Sequence, residues 1–439
     1  MNRKLRAVMT AAIAAGIAAA PLPSVSALEV SDPGYYDAMK GQNISLNVYN
    51  WGEYISDGSE GSVDVNAEFE KLTGIKVNYT TFATNEELYA KLQSGAVNYD
   101  IIIPSDYMIA RMIREGLVQK LDLSQIPALS NIDPDYMNAA FDPTGEYSVP
   151  YTWGTVGIIY NTTKITEPVD SWEILWDEKY KGDILMFSNP RDALMIAEKK
   201  LGYSMNTSDE NEIRAAFEEL KAQKPLVQSY VMDEIFDKMG SGEAAVAPYY
   251  AGDAITMIDD NPDLAFVSPK EGTNTFIDSI CIPADAANVQ AAHMYINFLC
   301  EPEVAAANIE AIGYSTPNTA AFALLDEETQ NSPISYPSQE IMDKAETFLV
   351  LPDETNALID QLWTSLLSTS ASADEKKEQG GGFSPVWIVL IVALGVLLVL
   401  VGKKKKQKTD AAGVPEEEEE EEEEYEDDEE DNNQDDDVK

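Results

Sequence analysis

The sequence predicts an α/β fold in two lobes, built on parallel strands, and three observations carry that prediction. Strand-like and helix-like runs alternate from Ile44 onward. The run Ile101-Ile102-Ile103 is continuously apolar, as in a strand covered by helices on both faces. Between two terminal segments with membrane character lie roughly 340 residues, more than one ordinary hydrophobic core holds.

The first strand alternates over Ile44 to Trp51 and breaks at Gly52. Val63, Val65, Phe69 and Leu72 keep helical spacing, closed by Gly74 in the C-cap position. A strand over Ile75 to Phe82 follows, then a helix expected to open at Asn85 as N-cap, with Glu86 and Glu87 in its first turn. Tyr99 to Ser105 is the third strand, and β-α-β-α-β calls for parallel pairing. Farther on, Ser148 to Tyr160 reads as strands, Ile184 to Phe187 as a strand, and the stretches near Arg191 to Leu201 and Asp209 to Lys221 as helices. Gly242 to Pro248, Leu264 to Val267 and Ser279 to Ile282 are strand-like, and Ala291 to Leu299 is helical. Ser368 to Gly382, rich in Ser, Ala, Lys, Glu and Gly, reads as a flexible linker.

At the N-terminus, Arg3, Lys4 and Arg6 precede an apolar run and then Val25-Ser26-Ala27, which predicts a signal peptide over residues 1–27. Near the other end, Phe383 to Val401 carries no charge and as a helix reaches about 28 Å, enough to span a bilayer. Lys403 to Lys406 follow at once and are expected to stay cytoplasmic, which puts residues 28–382 outside. The rest of residues 403–439 is an acidic, disordered cytoplasmic tail by composition. Of the formal net charge of −47, residues 403–439 carry −13 and the first 27 carry +3, which leaves −37 on residues 28–402. That sign repels nucleic acid and favours cationic small molecules.

Cys281 and Cys300 are the two cysteines, and the sequence leaves a disulfide and two buried thiols equally open. His293, the one histidine, is expected at the surface of its helix. So small a supply of His and Cys makes a His-rich metal site or a Ser-His-Asp triad hard to build, and no cofactor is expected.

Four corners at strand ends combine aromatics with carboxylates: Trp51-Gly52-Glu53-Tyr54, Ser105-Asp106-Tyr107, Tyr249-Tyr250-Ala251-Gly252-Asp253 and Phe276-Ile277-Asp278-Ser279. A buried organic cation needs this pairing, since a ring face gives cation–π attraction and a carboxylate gives charge-assisted hydrogen bonds. Any one corner more often means an aromatic packed under a loop beside a solvated acid. Four in one chain point to a site. The carboxylates Glu53 and Asp278 could serve an acid/base hydrolase, but no adjoining nucleophile or metal cluster accompanies them.

Tyr49-Asn50-Trp51-Gly52-Glu53-Tyr54, Tyr99-Asp100-Ile101-Ile102-Ile103-Pro104-Ser105-Asp106-Tyr107, Ser148-Val149-Pro150-Tyr151-Thr152-Trp153-Gly154, Asp278-Ser279-Ile280-Cys281-Ile282-Pro283 and Ile312-Gly313-Tyr314-Ser315-Thr316-Pro317-Asn318 occur in order. Over Ile44 to Leu366 the chain resembles the spermidine/putrescine-binding proteins of polyamine ABC importers. The resemblance implies a type II periplasmic-binding fold with a ligand cleft between two lobes, residues 41–152 with 277–322 and residues 153–276 with 323–367. It implies ligand contacts from Trp51, Glu53, Tyr54, Ser105, Tyr107, Asn189, Asp192, Tyr250, Phe276, Asp278 and Tyr314. Asn189 stands where such binders place a first acid, so Asp192 alone carries charge there. Tyr250 and Phe276 stand where tryptophans are common, and Gly52 replaces a hydroxyl residue. These departures leave putrescine, spermidine and other cationic amines open. The implied partners are a polyamine and ABC permease subunits with a cytoplasmic ATPase, and the implied role is non-catalytic. The implied setting is a cell membrane in a Gram-positive-type envelope, with the single span as tether. A ligand sensor signalling through that span is the alternative, against which the tail offers no recognisable signalling domain.

Overall fold

Ser45–Trp51 forms β1, and its alternation buries Leu46 and Val48 completely. In this computed structural model residues 28–368 are described, so the signal peptide, the segment Phe383 to Val401 and the acidic tail lie outside the described residues. β1 pairs in parallel with β2 (Lys76–Phe82) and β3 (Ile101–Ile102), with Leu46 opposite Val77 and Val48 opposite Ile101. The predicted β-α-β-α-β unit is therefore present. β4 (Ser148–Asn161), β5 (Ile184–Phe187), β6 (Val227–Val231), β7 (Val246–Tyr250), β8 (Leu264–Val267) and β9 (Thr275–Cys281) complete a nine-stranded sheet in the order β2-β1-β3-β9-β4-β7-β5-β6, with β8 beside β4.

The sequence reading broke Ser148 to Tyr160 into strands, yet β4 is a single strand of 14 residues. Its first half, Ser148 to Thr155, runs antiparallel to β9, and its second half, Val156 to Asn161, pairs with β7 and β8. β4 thus belongs to two arms of the sheet. One arm is the parallel trio β2-β1-β3. The other holds β5 parallel to both β6 and β7. Near the change of partner, backbone bridges join Trp153 to Ser315 and Asn274 to Glu346, so later chain segments lie along the same seam.

Helices follow the strands. α1 (Val65–Thr73) is capped by the Asp64 carboxylate, which accepts from the Ala67 N–H at 2.8 Å, and ends at Gly74 with φ +77°. α2 (Asn85–Ser94) corrects the predicted cap: the N-cap is Thr84, whose hydroxyl accepts from the Glu87 N–H at 3.1 Å. Asn85 is instead drawn inward, exchanging hydrogen bonds of 3.1 Å with the Ser105 hydroxyl and N–H. The remaining longer helices are α3 (Asp106–Glu115), α4 (Pro190–Lys200), α5 (Glu210–Gln223), α6 (Glu234–Gly240), α7 (Ala251–Asp260), α8 (Val289–Leu299), α9 (Pro302–Ile312) and α10 (Asp353–Ser368).

α8 is buried along nearly its whole length, and His293 with it, at 1% exposure, against the expected surface position. The ring satisfies itself locally. Its Nδ1 donates to the Val289 carbonyl at 2.7 Å and its Nε2 accepts from the Asp122 N–H at 2.8 Å, which describes a neutral imidazole. Cys281, at the end of β9, and Cys300, at the cap of α8, are both buried free thiols, which decides the question the sequence left open. Among the described residues no helix is long and apolar enough to cross a membrane, and no cluster of His, Cys, Asp and Glu could hold a metal ion.

Candidate functional site

A cleft with about 570 Å³ of empty volume opens where the strands of both arms end. Strand carboxyl ends are where open α/β sheets collect ligands, because turns and helix N-termini converge there. Trp51, Gly52 and Tyr54 enter from the end of β1, and Ser105, Asp106 and Tyr107 from the step between β3 and α3. The other arm supplies Asp192 from the first turn of α4 and Tyr250 and Asp253 from the step between β7 and α7. β9 adds Phe276 and Asp278 from the middle of the sheet, and Tyr314 follows α9. Thus nine of the predicted contacts, Trp51, Tyr54, Ser105, Tyr107, Asp192, Tyr250, Phe276, Asp278 and Tyr314, line one cavity.

The rings form a continuous wall. Tyr54 meets Tyr314 edge to face with centroids 4.6 Å apart, Tyr314 meets Phe276 at 6.3 Å, and Phe276 meets Tyr250 at 5.5 Å. Gly252 makes this wall possible: a Cβ there would lie 2.2 Å from Cδ2 of Tyr314. The ring rests directly on the first turn of α7.

Carboxylates fill the gaps between rings. Asp278, 5% exposed, accepts from the Tyr54 hydroxyl on Oδ2 at 2.6 Å, while its Oδ1 is buried with no partner among the described residues. Burial raises its pKa to about 6, against the opposing pull of the Tyr54 and Ser105 hydroxyls. Asp192 accepts from Tyr250 at 2.9 Å and from the Asn189 amide at 2.7 Å, and burial raises it to about 7. Burial also pushes Asp106 and Asp253 well above the ordinary carboxylate range. Neither Lys nor Arg lines the cleft among the described residues. A bound cation would supply the missing charge and a donor for Asp278 Oδ1.

Two predicted contacts fall elsewhere. Glu53 is exposed and outside the lining: its backbone sits at φ +48°, and the turn that delivers Trp51 and Tyr54 to the cavity leaves the residue between them outside. Asn189 is buried behind the wall as the N-cap of α4, where it accepts from the Arg191 N–H at 3.0 Å and orients Asp192. The reading missed several lining residues. Asp106, Tyr249 and Asp253 stood inside the corner motifs, and helical spacing from Tyr250 could have singled out Asp253. Met232, Asp233, Asn274 and Phe348 arrive on segments with no pattern of their own.

A sequence profile described as bacterial extracellular solute-binding protein matches residues 65–337. The chain belongs to that family. This solute-binding protein is 40% identical over 317 residues to the spermidine/putrescine-binding periplasmic protein of Salmonella typhimurium, covering 71% of this chain and 89% of that one. It is 35% identical over 350 residues to the putrescine-binding periplasmic protein SpuD of Pseudomonas aeruginosa, covering 75% and 94%. Among solved structures, the spermidine/putrescine ABC transporter substrate-binding protein PotD of Streptococcus pneumoniae superposes with a TM-score of 0.63 at 36% identity, covering 74% of this chain and 99% of that one. The fold is therefore the two-lobe periplasmic-binding fold, and the protein is a binder rather than an enzyme.

Proposed function

We propose that this protein is the extracellular polyamine receptor of an ABC importer, held at the membrane by the segment Phe383 to Val401. The observation that carries the ligand class is Asp278 Oδ1, a buried carboxylate oxygen that among the described residues has no partner, in a cleft walled by aromatic rings and lined by no described cationic side chain. An ammonium satisfies that oxygen, and the methylenes of a linear amine lie against Trp51, Tyr107, Tyr250, Phe276 and Tyr314. Tyr54 orients Asp278, and Asn189 orients Asp192. The names of the relatives support the same class.

Residues 41–152 with 277–322 act as one lobe and residues 153–276 with 323–367 as the other, closing over the ligand about the seam where β4 changes partners. The closed form then docks on permease subunits driven by a cytoplasmic ATPase. After removal of residues 1–27, a single span followed by Lys403 to Lys406 keeps the receptor outside the cell and raises its effective concentration at the permease. Isothermal calorimetry of residues 28–368 against putrescine, spermidine, cadaverine, amino acids and betaines tests the reading. Saturable binding of a di- or polyamine, recovered unchanged by mass spectrometry, is the expected result. Absence of heat with every amine, or chemical turnover of one, would overturn it.

A further inference from the structure

A second cavity, with about 520 Å³ of empty volume, lies on the other side of Tyr107 from the cleft. Its charged lining is Glu86 of α2, Arg111 of α3, Arg191 of α4 and Asp360 of α10. Among the described residues Tyr107 is the one side chain that the two cavities share.

Arg191 is 6% exposed, yet its guanidinium Nη2 is buried with no hydrogen-bond partner among the described residues. Its Cζ lies over the Phe348 ring, 4.4 Å from the centroid, and over the Tyr107 ring at 5.3 Å. Ring faces offset part of a charge but leave the guanidinium N–H groups without an acceptor. Glu86 faces the same space in the converse condition. Its Oε1 accepts from the Tyr107 hydroxyl at 3.0 Å, while its Oε2 is buried and, among the described residues, has no donor. Burial lowers the pKa of Arg191 and raises that of Glu86, since both charges are held away from water.

An open buried donor and an open buried acceptor on one cavity cost free energy that a ligand carrying both complements recovers. Arg111 and Asp360 balance the lining at two cations and two anions, whereas the charged side chains of the cleft are all acids. A simple anion satisfies Arg191 and is opposed by Glu86, and a simple cation meets the reverse; a zwitterion satisfies both. Met108, Pro190, Leu351 and Ile359 give the remaining wall, which suits an apolar group.

We propose that this cavity is a second ligand site, taking a free α-amino acid with an apolar side chain, its carboxylate on Arg191 and its ammonium on Glu86 Oε2. The site uses none of the cleft's carboxylates and stands apart from the amine reading.

Calorimetry of the full chain with L-leucine, 4-methylpentanoate and 3-methylbutylamine tests it, because the second compound lacks the ammonium and the third the carboxylate. L-leucine should bind saturably and at least about tenfold more tightly than either, with its affinity kept within about threefold under excess 1,4-diaminobutane. Arg191→Gln should weaken L-leucine by at least about tenfold and bring it close to 3-methylbutylamine, and Glu86→Gln should bring it close to 4-methylpentanoate. Val350→Phe keeps both charges and takes up space in the cavity, so it should also weaken L-leucine by at least about tenfold. Absence of saturable heat with L-leucine, displacement of L-leucine by the diamine, or an unchanged affinity in these variants would overturn the site. A chain that binds L-leucine in this way and no diamine at all would keep the second site and lose the amine reading.

Discussion

The two walls of the cleft are built from different parts of the same fold. The wall on the β1–β3 arm is made of turns that leave strand ends, and it contributes mainly rings and hydroxyls: Trp51, Tyr54, Ser105 and Tyr107. The wall on the β5–β7 arm is made of helix beginnings, and its acids sit in or just before first turns: Asp192 in α4, Asp233 before α6 and Asp253 in α7. Helix N-termini favour negative charge through their unpaired N–H groups and dipole, yet burial still raises Asp192 to about 7 and Asp253 well above the ordinary carboxylate range, against about 6 for Asp278. Asp278 differs in its hydrogen bonding. It lies within β9, holds one hydrogen bond from Tyr54 and keeps one oxygen bare. The comparison teaches that the strand acid depends most on the ligand, while the helix acids set the field around it.

The largest expected effect follows from that dependence. Asp278→Asn preserves shape and removes the charge, and breaking one side of a buried charge pair typically costs 2–5 kcal/mol. Calorimetry should show diamine affinity reduced by at least tenfold, about 1.4 kcal/mol. If the affinity is unchanged, the strand acid holds no ammonium and the two walls must be reassigned.

A middle-sized effect comes from pH. Asp278 at about 6 and Asp192 at about 7 keep their protons in the ligand-free fold well above the pH at which the unfolded chain ionises. For raised carboxylates the stabilising contribution to the empty protein is present at low pH and is lost as pH climbs from about 4 to about 7. Ammonium binding needs the ionised forms, so the ligand-induced rise in melting temperature should grow between pH 5 and pH 8. Differential scanning fluorimetry across that range checks it, and a flat profile would mean that neither acid changes protonation on binding.

The smallest effect marks the edge of the site. Glu53→Gln, exposed and outside the lining, should shift diamine affinity by less than about twofold, since a rim charge contributes little. Asp209→Asn, at the N-cap of α5 far along the chain from every corner, serves as the reference for no effect. A tenfold loss in Glu53→Gln would move that side chain into the cleft and undo the contrast between buried and rim acids.

Much of this was legible in the chain. The apolar periodicity of β1, the Gly74 stop of α1 and the uninterrupted Ile101-Ile102-Ile103 are local facts, and local propensity with burial pattern decides them. The corner motifs were legible for the same reason: a strand end, a turn residue, a ring and an acid are neighbours in sequence. Whether those corners meet is a matter of strand order, and β9 entering between β3 and β4 is written in no single segment. Position within a corner was equally hidden. Glu53 and Tyr54 are adjacent, yet one is exposed and the other is buried against Tyr314, because a turn with φ +48° sends consecutive side chains apart. Asn189 falls on a position where such binders place an acid and serves as a support for Asp192, since the start of α4 takes its side chain as a cap. Asp233 and Phe348 reach the cavity on segments without a repeating pattern, delivered by the packing of one arm against the other. Sequence thus determined the elements and the kinds of side chain at their ends, which depend on neighbours along the chain; tertiary structure alone decided which ends converge and which acids lose water, because those depend on contacts between residues far apart in the chain.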